Sequence, residues 1–92
     1  MTLSPSDLAR LRHYCGYSDS AMASSFNPLT SAGDCGILEE VLLRKGWRVE
    51  IEMADGYVCC LEPLPHLTDS PGSAWGPSRS TAMVHAALAV IP

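Results

Sequence analysis

Apolar positions recur along this chain with two different periods, and each change of period marks a change of element. Leu8, Leu11 and Cys15 stand at helical spacing. Ser4 is placed to cap, Pro5 fits the first helical position, Asp7 completes an S-x-x-D start and Gly16 supplies a stop. A second helix begins with the same signature at Ser31 and Asp34, carries the stripe Ile37, Leu38, Val41, Leu42, and stops at Gly46. Its charges suit a helix dipole, with Glu39 and Glu40 early and Arg44 and Lys45 late. The period then drops to two. Trp47, Val49, Ile51 and Met53 alternate with Arg48, Glu50 and Glu52, and Asp55-Gly56 reads as a two-residue type I′ hairpin turn. That turn pairs Met53 with Val58 and Ile51 with Cys60. Arg48, Glu50, Glu52, Tyr57, Cys59 and Leu61 then share the other face, half acidic and half apolar. Helical spacing returns from Ser78 or Ser80 to Ile91, where Met83, Val84, Ala87, Leu88 and Ile91 form an apolar face that leaves Arg79 and His85 outside.

Two connectors separate these elements. Residues 17–30 are rich in Ser and Ala, and Met22 and Phe26 are spaced to pin a turn to the core. Residues 63–77 hold Pro63, Pro65, Pro71 and Pro77 with Gly72 and Gly76, the composition of an irregular, partly extended arm. Trp75 lies inside it, read first as an indole folded onto its own core and alternatively as an anchor for a partner. One domain over residues 1–92 results: an N-terminal helix (1–16), a loop (17–30), a helix plus hairpin (31–62), the arm (63–77) and a C-terminal helix (78–92). The order α-α-β-β-α is an α+β fold, a small antiparallel hairpin or sheet covered on one face by helices. Ile37, Leu38, Val41, Ile51, Met53, Val58, Val84 and Leu88 are the expected core. Exposed strand edges leave a homodimer open.

Composition narrows the classes of function. With ten acidic residues against six basic ones and a net charge of −4, the chain lacks the basic balance of a direct nucleic-acid binder. The acidity is concentrated: residues 34–69 contain Asp34, Glu39, Glu40, Glu50, Glu52, Asp55, Glu62 and Asp69 against Arg44, Lys45 and Arg48. No apolar run approaches the ~20 residues of a membrane span, and no charged-then-apolar leader opens the sequence. Cys15, Cys35, Cys59 and Cys60 form no C-x-x-C pair, so they are expected as reduced thiols, with Cys15, Cys35 and Cys60 as small core residues. His13, His66 and His85 are scattered. No phosphate loop, nucleophile elbow or metal-binding helix motif occurs, so neither catalysis, cofactor nor metal is expected. The expected partner surface comprises Glu39, Glu40, Glu50, Glu52, Asp55, Tyr57, Glu62 and Trp75.

The stretch GILEEVLLRKGWRVEIEMADGYVCCLEP, followed by an arm and WGPSRSTAMVHAALAVI, resembles small phage-encoded α-β-β-α proteins of the "ABA sandwich" kind over Ser31 to Ile91. The opening LSPSDLARLRHYCGY resembles the first helix of phage neck and head-completion proteins. Their RRxxGY segment falls on Arg10 to Tyr17, with the adjacent arginine pair missing and Ser18 where a proline often follows. These resemblances imply a phage or prophage protein that works by protein–protein contact with a host or phage complex. The first expectation is an anti-CRISPR-like inhibitor of host defence acting in the host cytoplasm through its acidic surface. The alternative is a virion component of the neck or head.

Overall fold

A computed structural model describes residues 3–17, 25–64 and 70–92. The elements are α1 (Pro5–Tyr14), α2 (Ala32–Arg44), β1 (Trp47–Met53), β2 (Tyr57–Pro63), β3 (Gly72–Gly76) and α3 (Arg79–Val90). All three helices start on a serine cap: the Ser4, Ser31 and Ser78 hydroxyls accept the N–H groups of Asp7, Asp34 and Thr81. Gly16 and Gly46, just past α1 and α2, adopt φ of 85° and 96°, the left-handed stop that only glycine takes without strain.

The strands form one antiparallel sheet in the order β1-β2-β3, with the helices packed on one face. The third strand replaces part of the expected irregular arm. Its inner positions Gly72, Ala74 and Gly76 carry almost no side chain because α3 lies directly on them. A Cβ at Gly76 would stand 2.6 Å from the Ala82 nitrogen, and one at Gly72 would stand 2.5 Å from Val90 Cγ1. Ala82, Ala86 and Ala87 on α3 are fully buried, so the close approach is made by small residues from both sides. Met53 at the outer end of β1 is 81% exposed, against its expected place in the core.

The hairpin register differs by one residue from the expected pairing. Met53 pairs with Tyr57, Ile51 with Cys59 and Val49 with Leu61, around a three-residue loop of Ala54, Asp55 and Gly56. Asp55 and Gly56 both take positive φ, 52° and 130°, but the Ala54 N–H donates to the Gly56 carbonyl, which places Ala54 inside the loop. A one-residue slip turns every side chain of β2 to the opposite face. Cys59 and Leu61 are therefore fully buried and Tyr57 packs against the core, while Val58 and Cys60 turn outward and are half-buried. Pro63 fits this register. Leu64 donates to the Gly46 carbonyl, so Pro63, opposite Trp47, falls at a position that needs no N–H toward β1.

The core joins Leu11, Cys35, Leu38, Leu42, Trp47, Cys59, Leu61, Met83, Val84 and Ile91 with the α3 alanines. Leu38, Val41 and Val84 are buried as expected, and Ile51 and Leu88 pack at its border. Ile37 is half-buried. Phe26 is buried and its ring lies 4.8 Å from that of Tyr17; Met22 falls outside the described residues. Two arginines of α1 act as bolts to other parts of the fold. The Arg10 guanidinium donates to the carbonyls of Leu88, Ile91 and Pro92 at 3.0, 2.9 and 3.3 Å, tying α1 to the end of α3, where carbonyls otherwise lack partners. Arg12 donates to the Phe26 carbonyl at 3.0 Å.

Candidate interaction face of the sheet

The helices complete one side of the sheet and leave the other without a covering element among the described residues. Because strand side chains alternate, the residues turned away from the core fall into cross-strand rows. Glu52, Val58 and Trp75 form one row, Glu50, Cys60 and Ser73 the next, and Arg48 and Glu62 the third. Val58 and Cys60 are half-buried along the middle strand, and the glutamates on β1 flank them on one side. With Asp55 in the adjoining loop, four carboxylates face one guanidinium. None of Glu50, Glu52, Glu62 or Arg48 forms an ion pair among the described residues.

Trp75 is the large apolar group of this face, 54% exposed. It does not fold onto the core as first expected, because Ala74 and Gly76 occupy the inward positions on either side of it. The indole is nevertheless held. Its Nε1–H donates to the Ala54 carbonyl at 3.3 Å, and the ring lies so close over Gly56 that a Cβ there would come within 2.8 Å of it. The ring thus reaches from β3 across the hairpin loop, to the residue two places beyond Glu52.

Of the expected partner residues, the structure brings Glu50, Glu52, Glu62 and Trp75 onto one face, with Asp55 exposed at its end. Tyr57 is a correction: the register turns it to the core side. Glu39 and Glu40 belong to the helix layer on the opposite side of the sheet. Glu39 accepts both bonds of Arg79, at 2.9 and 3.0 Å, which join the start of α3 to α2 and hold the guanidinium more firmly charged. Glu40 is exposed on α2. Val58, Cys60 and Ser73 are the face residues that sequence reasoning missed. Their signal was Glu62, which shares a face with Val58 and Cys60 and would have been carried into the core with them.

Three of the four thiols are poor nucleophiles. Burial pushes Cys15 and Cys59 up to about 11 and raises Cys35 as well, so all three are protonated at neutral pH. Cys35 Sγ lies 3.6 Å from Met83 Sδ inside the core. His85 is half-buried on α3, His13 is exposed on α1, and His66 lies outside the described residues. Among the described residues, no three His, Cys, Asp or Glu side chains gather as a metal site. Among the described residues, no helix is long and apolar enough to cross a membrane. A cleft of about 340 Å³ beside Ala9, Arg10, His13, Tyr14 and Pro92 opens at the α1–α3 junction, with Arg10 already committed to backbone carbonyls.

Comparison with family models, curated proteins and solved structures gave no match for this chain.

Proposed function

We propose that the chain is a non-catalytic binding protein that docks the open face of its sheet onto a basic surface of another protein. The observation that carries this reading is the set of carboxylates Glu50, Glu52 and Glu62, without an ion pair among the described residues, that shares that face with the exposed, anchored Trp75. An acidic face steers a basic partner toward it and an aromatic anchor supplies desolvated contact once it arrives. Basic grooves of this kind are characteristic of proteins that handle nucleic acids. The reading therefore extends to an inhibitor of a host defence complex, anti-CRISPR in kind and phage-encoded, working in the host cytoplasm without touching nucleic acid itself.

The test is a plaque assay on bacteria whose CRISPR systems target the challenging phage, with this chain expressed in the host. Wild type is expected to restore plaques in at least one system, and Glu50→Lys with Glu52→Lys is expected to abolish the rescue. Exposed strand charges contribute little to folding, so the melting temperature of the double variant should stay close to wild type. No rescue in any system, or equal rescue by the double variant, refutes the inhibitor reading.

A further inference from the structure

The end of the open face where Trp75 meets the hairpin loop has a more specific geometry than general acidity. One part of the indole is fixed against Gly56 and the Ala54 carbonyl, and the remainder is open to solvent. Glu52 lies in the same cross-strand row as Trp75, one strand beyond Val58, and Asp55 stands exposed in the loop that the ring reaches. Adjacent strands are about 4.8 Å apart, so the Glu52 and Trp75 backbones are separated by about 10 Å with Val58 as the floor between them. The Nε1–H bond draws the ring across part of that span, toward the β1 end of the loop.

We propose that this platform is a subsite for a single arginine side chain of the partner protein. The guanidinium would stack on the open indole face, its aliphatic stem would lie on Val58, and its N–H groups would donate to the Glu52 carboxylate with Asp55 at the rim. Charge complementarity requires a cation. A planar group that stacks on an aromatic ring and forks onto a carboxylate at the same time selects arginine over lysine, whose ammonium is compact and strongly hydrated. Trp75 arrives already ordered by Ala54 and Gly56, so little side-chain freedom is lost when the cation binds. The subsite rests on the reading of this face as protein-binding, but its test needs no identified partner and no defence system, so the two can fail separately.

The experiment titrates the full chain with the blocked peptide Gly-Arg-Gly-Arg-Gly, and with the same peptide carrying lysine or neutral citrulline. The Trp75 indole N–H is followed by NMR, with buried Trp47 as the internal reference. The arginine peptide is expected to shift the Trp75 signal and leave Trp47 in place, with weaker binding of the lysine peptide and none of the citrulline peptide. Glu52→Gln, read from the same indole signal, and Trp75→Leu, read from the backbone amide signals of Glu52 and Val58, should each weaken the arginine peptide by about two- to fivefold, the range of an exposed cation–π or ion-pair contact. Glu40→Gln, on the helix side, should change nothing. Equal affinity for lysine and arginine, binding of citrulline, or unchanged affinity in both face variants overturns the assignment.

Discussion

The strongest structural commitment is the glycine-alanine-glycine inner edge of β3, and Gly76→Ala tests it. An added Cβ at Gly76 would lie 2.6 Å from the Ala82 nitrogen, 2.8 Å from Thr81 Cβ and 2.9 Å from the Thr81 carbonyl carbon. Two of these three atoms are backbone, so no rotamer change relieves the conflict. The first turn of α3 must move outward by nearly an ångström to restore ordinary contact, loosening Ala82 and Ala86 from the sheet. Overpacking of this kind costs about 1–3 kcal/mol, and the backbone contact places Gly76→Ala at the upper end, about 3 kcal/mol. Gly72→Ala is the matched control, because its single sub-3 Å contact is Val90 Cγ1, a half-buried side-chain methyl group that can turn away. Its cost should be about 1 kcal/mol. Val90→Ala in the Gly72→Ala background should recover part of that loss, a coupling that a double-mutant cycle reads directly. The assay is urea unfolding followed by circular dichroism, with the slope checked for constancy. At about 4–8 °C per kcal/mol for a domain of this size, Gly76→Ala should also melt at least 10 °C lower. Stability within 0.5 kcal/mol of wild type for Gly76→Ala, or a larger loss for Gly72→Ala, would refute the packing of α3 on β3.

Three further outcomes follow from the same structure. Leu38→Ala removes a fully buried side chain at the centre of the core and should cost about 2–5 kcal/mol by chemical denaturation; a loss under 1 kcal/mol contradicts its placement. Arg10→Ala should cost about 1.5–3 kcal/mol, because charged donors leave the carbonyls of Leu88 and Ile91, with amide exchange accelerating first in α1 and in the last turn of α3. Thiol ionisation should weaken the fold at alkaline pH. In the unfolded chain thiolates form near pH 8.5, whereas folded Cys59 resists ionisation until about 11. The stabilisation is therefore complete below about pH 8.5 and is lost as the pH rises to about 11, with Cys59 alone accounting for about 3 kcal/mol. Cys59→Ala should flatten that part of the melting-temperature profile, and an unchanged profile would remove the thiol from the account.

Most of the helical framework was legible because its signals are local. A serine followed three residues later by aspartate marks a cap in the sequence and forms that cap in space, at Ser4 with Asp7 and at Ser31 with Asp34. Gly16 and Gly46 stop helices for a reason contained in a single residue's backbone. The third strand was hidden because its inner face is matched to α3 and not to strand propensity. Gly72, Ala74 and Gly76 lack the β-branched side chains that announce a strand, and glycines beside prolines read as breaks. Only their spacing of two, set against a helix rich in alanine, carried the information. The bolts from Arg10 and Arg12 were equally hidden. They join residues 78 to 82 and 14 positions apart, beyond the reach of any local pattern.

The hairpin shows how local and global preferences compete and which one governs function. Asp-Gly favours a two-residue turn, but that register would bury Val58, Cys60 and Glu62 together and expose Cys59 and Leu61. Taking a carboxylate into the core costs far more than a less favoured turn, so Ala54 joins the loop and the strand shifts by one. The half-acidic, half-apolar face expected from the two-residue turn was the mark of this conflict. Once the shift is made, Glu50, Glu52 and Glu62 gather on the same side, and Ala54 exposes the carbonyl that receives the Trp75 indole. The same adjustment that keeps charge out of the core therefore builds the acidic face and fixes its aromatic anchor. Stability and binding are coupled at this loop: a substitution that restored the two-residue turn would have to bury Glu62 and release Trp75 together.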